Sequence, residues 1–412
     1  MWTSVKWAIG IVAVALSIFL AGVIGHTIGE DSGGGATVNI VDPGTGGDAG
    51  DYGTLSEIED ILQQDFVNPD AVDPNALLNG AIQGQIDALG DAHTVYISPE
   101  DLELGVDIIA GTFEGIGAQV DQDPVTGEIV IVAPFRDSPA EKAGIRAGDV
   151  ILAVDGESTE GWSVADAVKR IRGEGGTDVT LTIAHSDGGE EDVLITRDTI
   201  EIPTVYAAEV EDENGQVVND LAYVEVQQFT NETVGDLSAE LDRIVDEGYK
   251  GLILDLRRNP GGGLDATVEV ADMFLDGGLV LTQVDRDGSR KEFNATGGGE
   301  AADLPVVVLV SKGSASGSEV LAGALRDHGR ATLIGEQTFG KGSVNHLREL
   351  SNGGALYVTI ARWLTPNGEQ IEGVGLVPDV PITLSEDDIA NNRDVQLYAA
   401  IDELEKQFTA QP

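Results

Sequence analysis

The sequence predicts an α/β protein with a smaller β-rich domain and a short helical segment on its N-terminal side. Between residues 221 and 336, strand-like apolar runs alternate with stretches of helical periodicity, a pattern typical of a core built on a largely parallel sheet. Between residues 111 and 197, short β-rich runs surround one helical stretch. With 412 residues, the chain is long enough for two or three domains with separate hydrophobic cores.

The composition is strongly acidic, with 72 acidic and 23 basic residues and a formal net charge of -49. Nucleic acid and anionic membrane surfaces would repel such a chain, so we expect no nucleic-acid partner. Because the carboxylates are scattered along the whole chain, a solvated acidic surface adapted to high salt is favoured over a specific cationic partner. At 1 M salt the screening length is roughly 3 Å, which would relieve the self-repulsion.

Two absences from the sequence limit its chemistry. There are no cysteines, which excludes disulfides, thiolate catalysis and zinc–thiolate sites. The five histidines are dispersed and form no His-Glu-x-x-His pattern. We therefore expect neither a bound metal nor a cofactor.

The chain begins with a segment that contains a run of nineteen uncharged residues, from Trp7 to Gly25. A run of this length can span a bilayer. Lys6 precedes the run and the next charged residues are acidic, so the positive-inside tendency places the rest of the chain outside the cytoplasm. We predict a single-pass membrane anchor within residues 1–29, with a cleaved signal segment as the alternative.

The next elements follow in chain order. Residues 30–53 are rich in Gly and Asp and lack apolar periodicity, which predicts a flexible tether. Apolar residues at helical spacing predict two helices, at 55–67 and 75–90, in an N-terminal helical segment of residues 54–104. The stretch GDAHTVYISPEDL is interpreted as a loop that enters a further helix capped by Ser98.

The rest of the chain is divided into three parts. The β-rich domain spans residues 105–200 and includes the helical stretch from Ser163 to Arg172. The α/β core spans residues 201–385, and a closing helix is predicted within residues 386–412. The strand-like runs of the core are LAYVEVQQF, GLILDLR, PVVVLV and ATLIGE, and a helix is predicted after each of the first three.

A loop in the β-rich domain has features of a carboxylate-binding site. In FEGIGAQVDQD, the glycines leave backbone N–H groups free to approach an anion, and the residues that follow can offer a strand edge to a peptide. The stretch DSPAEKAGIRAGDVILAVDGES resembles the PDZ domain in its protease-associated form. The resemblance implies that Gly115, Ile116 and Gly117 form the carboxylate loop. Val164 and Val168 would lie on the helix that lines the groove, although core filling is the alternative for them.

The stretch from Val310 to Ser343, VSKGSASGSEVLAGALRDHGRATLIGEQTFGKGS, has three interpretations. It contains Gly-x-x-x-x-Gly-Lys, as in a phosphate-binding loop, but Gly342 stands where that motif needs Ser or Thr, and no helix is indicated after it. Ser316 or Ser318 could instead cap a helix. The third interpretation is a nucleophile, because a buried strand delivers three serines to the carboxyl end of a sheet, where α/β sites lie.

A serine nucleophile needs a base and an oxyanion hole. Lys341 is favoured as the base, because a tight turn formed by Phe339 and the flanking glycines would desolvate its amine and lower its pKa towards the working pH. His328, at a helix end, and His346, in a short strand-like run, are weaker candidates. The glycines of LDLRRNPGGGL expose amides at the same sheet edge and could supply the oxyanion donors.

Three stretches resemble the signatures of the carboxyl-terminal processing peptidases of family S41, tail-specific serine proteases with a PDZ domain. They are GSASGSEVLAGALRDHGRATLIGEQTFGKGSV, LILDLRRNPGGGL and TPNGEQIEGVGLVPDV. The resemblance covers nearly everything after the tether and implies a ClpP/crotonase-like α/β core. It places the nucleophile on Ser316 and its lysine base on Lys341. The oxyanion donors fall on Gly262 and Gly317.

Further positions are assigned by the same resemblance. Asp327 matches an acidic position near the site, although anchoring of the helix end explains it as well. Asn345 stands where the family usually has a glutamine that orients the amine, and asparagine keeps the carbonyl acceptor but is one methylene shorter. Ser314 and Ser318 are interpreted as structural.

The resemblance therefore implies an anchored extracytoplasmic serine endopeptidase that needs no cofactor. Its PDZ domain would capture the free C-terminal tail of a protein or peptide substrate, and its anchor would hold it to the membrane. The sequence leaves a homo-oligomer open. The alternative from a different functional class is a catalytically silent PDZ scaffold that only binds C-termini, and the departure at Asn345 keeps this alternative open.

Overall fold

A computed structural model describes residues 52–99, 102, 112–123, 126–135, 138–185, 188–201, 204–391 and 393–410. The membrane anchor predicted within residues 1–29 lies outside these ranges, and so does the tether predicted at 30–53, apart from its last two residues. No helix within the described ranges combines the length and the apolar character that crossing a bilayer requires.

The N-terminal segment contains two helices and a short strand. Helix α1 spans Gly53–Asp65, helix α2 spans Pro74–Asp87 and strand β1 spans Val95–Ile97. At the start of α2, the Asp73 carboxylate accepts the N–H of Asn75 at 2.8 Å, which is the arrangement of a helix N-cap. The two helices lie where the apolar spacing predicted them.

Strand β1 replaces part of the loop predicted after α2. Val95 and Ile97 pair antiparallel with Tyr357 and Ala355 of the core. Three β-forming residues adopt a strand here because a distant strand completes their hydrogen bonds, a contact that the local pattern does not reveal. The helix predicted after Ser98 lies largely outside the described residues.

The β-rich domain is an antiparallel sheet with helix α4 packed against it. Its elements are β2 (Thr112–Gly115), β3 (Ala118–Gln122), β4 (Ile129–Pro134), α3 (Pro139–Lys142), β5 (Val150–Val154), β6 (Glu157–Ser158), α4 (Val164–Ile171), β7 (Asp178–Ala184), β8 (Glu190–Thr196) and β9 (Asp198–Glu201). The sheet order is β3-β4-β5-β7-β8, with β6 paired to β5, while β2 and β9 pair separately. Ser163 and Asp166 cap α4 reciprocally, which explains where the predicted helix begins.

The α/β core is built on a six-stranded sheet. The elements of the core and the C-terminus are β10 (Val205–Ala208), β11 (Leu221–Val226), α5 (Asn231–Glu247), β12 (Gly251–Asp255), α6 (Leu264–Phe274), β13 (Gly278–Asp285), β14 (Arg290–Ala295), β15 (Val306–Val310), α7 (Gly317–Asp327), β16 (Ala331–Gly335), β17 (Ser343–Glu349), β18 (Ala355–Leu364), β19 (Val380–Pro381), α8 (Glu386–Ala390) and α9 (Val395–Ala410). The order is β10-β11-β12-β15-β16-β19. All neighbours are parallel except β10 and β11, so the predicted largely parallel sheet is confirmed.

The central strands of this sheet, β12 and β15, are buried along their whole length. Apolar residues of α5, α6 and α7 cover one face of the sheet, and those of α9 cover the other. Strands that are buried on both faces need apolar residues at every position. This burial explains the continuous runs GLIL and VVVLV.

A second sheet is antiparallel and lies beside the site. Its order is β1-β18-β13-β14, with β17 paired to β18. Strand β17 begins at Ser343, two residues after Lys341. The β17–β18 hairpin therefore brings residues of β18, beyond the next turn of the chain, next to that lysine.

Three loops meet at the carboxyl end of the parallel sheet. Strands β12, β15 and β16 are neighbours and run in the same direction. The loops that follow them, 256–263, 311–316 and 336–342, consequently emerge at one edge. They carry the glycine-rich segment, the serines and Lys341.

Candidate active site

Ser316 ends the loop after β15 and occupies the N-cap position of helix α7. Its φ is +49°, in the left-handed region, and among the non-glycine residues of the described ranges only Asp155 shares this sign. Such a conformation costs on the order of 1–3 kcal/mol and persists where the surrounding contacts hold it, commonly at active sites. The helix-cap position is thus filled by a strained serine at the edge where α/β sites lie.

The two neighbouring serines have structural contacts. Ser314 Oγ donates to the Leu256 carbonyl at 2.8 Å, and Ser318 Oγ donates to the Asn259 carbonyl at 2.7 Å. Both side chains are fully buried. They tie the serine loop to the glycine-rich loop, which agrees with the structural role predicted for them.

The glycine-rich loop lies against the start of helix α7. A Cβ on Gly261 would lie 2.8 Å from the nitrogen of Gly317, and a Cβ on Gly262 would lie 2.2 Å from the Phe229 carbonyl oxygen. A Cβ on Gly317 would lie 3.4 Å from the nitrogen of Gly262, so the two amides are neighbours. Neither amide has an acceptor within the described residues. Two adjacent free N–H groups beside Ser316 are the arrangement that an oxyanion hole needs.

Lys341 is buried, with 3% of its surface exposed. Its Nζ lies 3.5 Å from the Tyr357 hydroxyl and 5.3 Å from the centre of that ring. Its carbonyl accepts the indole N–H of Trp363 at 3.1 Å. Burial lowers the pKa of the amine to about 8, although nearby carboxylates oppose this change. An amine with such a pKa can act as a general base near neutral pH.

The groups that bury Lys341 differ from the predicted ones. Phe339, expected to desolvate the amine, is 46% exposed, whereas Tyr357 and Trp363 of β18 are 2% and 3% exposed. The shielding therefore comes from the second strand of the following hairpin rather than from the local turn. Strand β17 begins directly after Gly342, which excludes the phosphate-loop interpretation, because that motif is followed by a helix.

Glu319 links the two candidate residues, although no motif pointed to it. Its side chain is fully buried, and its Oε2 accepts the backbone N–H of Ser316 and that of Lys341, each at 2.9 Å. These two nitrogens are therefore at most about 5.8 Å apart, twice 2.9 Å. Its Oε1 accepts the Thr338 hydroxyl and the N–H of Gly340. The Ser-x-x-Glu spacing of a capping box is the sequence signal that could have identified it.

Asn345, expected to orient the lysine amine, makes its side-chain hydrogen bonds elsewhere. Its Nδ2 donates to the His93 carbonyl at 2.8 Å and to Thr359 Oγ1 at 3.1 Å. Its Oδ1 accepts the Ser343 hydroxyl at 3.2 Å. Asn345 thus ties β17 to β18 and to the residues before β1. The hydroxyl within reach of the amine comes from β18 instead.

The residues at the far end of helix α7 are remote from Ser316. The helix has 11 residues, so its last residue, Asp327, lies about 16 Å from Ser316 along the helix axis. Asp327 accepts the N–H of Asn367 at 3.0 Å and anchors the helix end, so it is not near the site. The ring of His328 contacts a carbonyl of β13 at 2.8 Å. His346 follows Asn345 on β17, so the two side chains lie on opposite faces of that strand.

A histidine–glutamate pair borders Lys341. His93 Nε2 lies 2.9 Å from Glu372 Oε1. Burial lowers the pKa of Lys341, and the Glu372 carboxylate is the strongest of the charges that oppose it. Glu372 Oε2 is buried and has no hydrogen-bond partner in the described part of the chain. Sequence patterns did not single out this pair, because both residues are distant from Lys341 along the chain.

The predicted carboxylate loop lies between β2 and β3. Gly115 ends β2, Ile116 is 3% exposed, and Gly117 has a φ of +75°. The N–H groups of Ile116 and Gly117 have no acceptor among the residues that the structure describes. Val164 packs against the core of the domain, whereas Val168 is half-buried on the same helix. The core-filling alternative therefore describes Ile116 and Val164 better than Val168.

Comparison with known proteins places this geometry in a family. Residues 220–382 match the family model described as peptidase family S41, and residues 130–185 match the PDZ domain model. The carboxy-terminal processing protease CtpA of Bacillus subtilis is 37% identical over 333 residues, which are 81% of this chain and 69% of that protein. The chain belongs to the carboxy-terminal processing proteases. It is therefore a serine-type endopeptidase of family S41 with a PDZ domain, as the resemblance implied.

Two further comparisons agree with this assignment. The carboxyl-terminal-processing protease of Synechocystis sp. is 39% identical over 329 residues, which are 78% of the protease described here and 75% of that relative. A solved structure described as an S41 protease from Bacteroides fragilis has a TM-score of 0.52 over 85% of this chain and 97% of its own. At 15% identity, this second match shows the fold alone.

Proposed function

We propose that the protease cleaves peptide bonds with a catalytic dyad in which Ser316 is the nucleophile and Lys341 is the general base. The observation that carries this proposal is the burial of the Lys341 amine, which lowers its pKa to about 8. At this pKa, part of the amine is neutral near pH 7 and can accept the serine proton. Glu319 supports the assignment, because one of its oxygens accepts the backbone N–H of both residues.

Cleavage by this dyad proceeds through an acyl-enzyme. Ser316 Oγ attacks the scissile carbonyl carbon while Lys341 Nζ takes the hydroxyl proton, and the N–H groups of Gly262 and Gly317 donate to the oxyanion. The intermediate collapses when the protonated amine of Lys341 gives its proton to the leaving amine. Water, deprotonated by the neutral amine, then hydrolyses the ester and restores Ser316.

In this proposal the PDZ domain holds the C-terminal tail of a protein or peptide substrate. The N–H groups of Ile116 and Gly117 donate to the terminal carboxylate, and β3 accepts the preceding residues as an added strand. Strand β3 lies at the end of the sheet order, so one of its edges is unpaired within that sheet. The silent-scaffold alternative uses the same loop without cleavage.

Labelling by a serine-reactive probe separates the enzyme from the scaffold. The purified full chain is incubated with the probe, and separately with an unstructured protein whose cut sites are mapped by mass spectrometry. We expect labelling and cleavage by the unaltered chain, and neither by Ser316→Ala. Binding of C-terminal peptides without labelling or cleavage would favour the scaffold.

The protease acts outside the cytoplasm in this proposal, held by an anchor within residues 1–29. The uncharged run after Lys6 supports this placement. Alkaline phosphatase, which folds only outside the bacterial cytoplasm, can be fused after residue 53 of the chain. Activity of the fusion is the expected result, and an inactive fusion that is produced at a normal level would contradict the placement.

Asn345→Leu is expected to lower the melting temperature by several degrees and the cleavage rate by less than about tenfold. The change leaves the His93 carbonyl and the Ser343 hydroxyl without this partner, and each buried group left unpaired costs about 1–3 kcal/mol. Thr359 loses the same partner but keeps its hydrogen bond with Asp91. The acidic limb of the pH–rate profile should stay in place. Asn345→Gln, which retains the amide, is the milder control. If the acidic limb moved while the melting temperature stayed unchanged, Asn345 would have a role in orienting the Lys341 amine.

Glu372→Gln is expected to move the acidic limb of the kcat/KM profile to lower pH. Burial lowers the pKa of Lys341 and the Glu372 carboxylate opposes it, so removal of that negative charge lets the pKa fall further. At a pKa of about 8, only about one amine in ten is neutral at pH 7, and the rate at pH 7 should therefore rise by at most about tenfold.

The matched control for this substitution is Glu369→Gln. The Glu369 side chain is 61% exposed and pairs with Arg326, so its loss removes the same charge at a distance from the amine. We expect the limb to stay in place in the control. An unmoved limb in Glu372→Gln, at an unchanged melting temperature, would show that this carboxylate does not act on Lys341.

A further inference from the structure

A cleft of about 390 Å³ opens on the antiparallel sheet, between the turn that joins β13 to β14 and strand β18. Three of its lining residues are the exposed arginines Arg286, Arg290 and Arg362. The whole chain has only 23 basic residues against 72 acidic ones, so three guanidinium groups around one opening are a local excess of positive charge. We call this site the arginine cleft.

The three arginines of the cleft are not used by the fold. Within the described ranges, none of them has an ion pair or a side-chain hydrogen bond, whereas Arg257 and Arg393 each bind two carboxylates. The carboxylate that lines the cleft, Asp285, accepts the amide of Gln283 at 2.6 Å and the hydroxyl of Ser289 at 3.3 Å. The guanidinium groups are therefore available to a ligand.

Strand register sets the spacing of the cleft. Val284 of β13 pairs with Arg290 of β14 on one side and with Arg362 of β18 on the other. Directly paired residues of neighbouring strands share a face, so the two arginines flank Val284 about 10 Å apart, two strand spacings. Side chains on one face of an extended peptide repeat about every 7 Å, so two acidic residues of one segment can reach both arginines.

Strand β18, which lines the arginine cleft, also contacts the loop that carries the base. Trp363, the residue after Arg362, donates its backbone N–H to the Gly342 carbonyl at 3.0 Å and its indole N–H to the Lys341 carbonyl at 3.1 Å. Thr359 lines the cleft and also bonds a side chain of β17. Successive residues of a strand point to opposite faces, so Arg362 lies on the outer face of β18 and Trp363 on the inner face, which contacts Lys341. A peptide in the cleft would therefore lie on the face of β18 opposite to Lys341.

We propose that the arginine cleft is a docking site for an acidic segment of the polypeptide substrate, on the face of β18 opposite to the candidate active site. This inference rests on the proposed function. Guanidinium groups pair with carboxylates in a bidentate geometry, while the rest of a surface with a net charge of -49 repels acidic chains. The cleft is thus a place where an acidic segment can dock on this surface. Three guanidinium groups can pair with several side-chain carboxylates of one acidic segment, whereas a C-terminus offers a single carboxylate.

Two fluorogenic peptides that differ only in four consecutive residues, all Glu or all Gln, test the inference. Each peptide is made with a free and with an amidated C-terminus and is assayed at low salt. We expect kcat/KM to be about tenfold higher for the Glu peptide. This preference should fall to near unity in the triple variant Arg286→Gln, Arg290→Gln, Arg362→Gln, mainly through a higher KM for the Glu peptide.

Arg348→Gln is the charge-matched control for the single variant Arg362→Gln. Arg348 is an exposed arginine of β17 outside the cleft lining. An equal loss of preference in both variants would mean that long-range charge, not the cleft, attracts the peptide, and would overturn the inference. A preference that survives the triple substitution would overturn it as well. A preference that amidation alone removes would assign the ligand to the C-terminal carboxylate instead.

Binding without cleavage separates this inference from the proposed function. Fluorescence anisotropy of the Glu peptide is measured with the full chain carrying Ser316→Ala, with and without the three arginine substitutions. A Kd that rises about tenfold in the arginine variant supports binding in the cleft, whether or not the unaltered chain cuts the peptides. Failure of the unaltered chain to cut either peptide would contradict only the dyad. Cleavage of both peptides with no change in Kd contradicts only the cleft.

Discussion

Lys341→Met is expected to lower kcat for peptide cleavage by about 10²–10⁴-fold while the protein stays folded. Methionine fills nearly the same volume but has no nitrogen to accept the proton of Ser316. A buried amine is costly to desolvate, so an apolar side chain at a position that is 3% exposed should keep or raise the melting temperature. Single-turnover cleavage and thermal melting measure the two effects.

Lys312→Met is the matched control for this prediction, because Lys312 lies in the serine loop with its side chain exposed. We expect its cleavage rate to match that of the unaltered protein. The double variant Ser316→Ala, Lys341→Met should be no slower than Ser316→Ala alone, since each change removes half of one proton-transfer unit. A Lys341→Met rate above a tenth of the unaltered rate would mean that another group takes the proton.

The position of the candidate site could be predicted from the order of the strands. Strands β12 and β15 are buried on both faces, so their apolar runs are visible in the sequence. In a parallel sheet the loops at the carboxyl ends share an edge, which brings the serines, the glycines and Lys341 together without knowledge of any side-chain contact.

The environment of Lys341 could not be predicted in the same way. Tyr357, which shields the amine, is brought to it by a hairpin without a local signal. Glu372, which opposes the fall of its pKa, lies in the quoted stretch TPNGEQIEGVGLVPDV, but that stretch does not indicate a contact with Lys341. The strand at Val95 likewise depends on pairing with β18. The local pattern instead indicated Phe339 as the residue that shields the amine, but Phe339 is about half exposed. The sequence of a turn does not reveal which of its side chains point outward.

Helix geometry decides between the two interpretations of Asp327. The family motif matched it to an acidic position near the site, with anchoring of the helix end as the alternative, and it is the last residue of a helix that starts after Ser316. Eleven helical residues extend about 16 Å, which is beyond the reach of any side-chain contact with the nucleophile. The same helix places Glu319 within its first turn, where a contact with Ser316 is expected.

Glu319→Gln is expected to lower kcat by about 10–10²-fold, the second large effect. All four groups on the carboxylate donate: the backbone N–H of Ser316, Gly340 and Lys341 and the hydroxyl of Thr338. Glutamine keeps one acceptor oxygen but turns an NH₂ group towards donors, so at least one buried N–H is left unpaired. In the unaltered protein one Glu319 oxygen holds the backbones of Ser316 and Lys341 together. In the variant these two backbone segments should move apart.

A charge effect distinguishes this positioning role from a purely structural one. Burial raises the pKa of the Glu319 carboxyl, but its four donors suit the ionised form, and its charge opposes the fall in the pKa of Lys341. Glu319→Gln should therefore move the acidic limb of the pH–rate profile to lower pH while the plateau rate falls. Asp327→Asn changes a buried carboxylate at the other end of the same helix and should lower the melting temperature without moving the limb. If Glu319→Gln lowered only the melting temperature, with plateau and limb unchanged, the carboxylate would stabilise the loop without positioning Ser316 against Lys341.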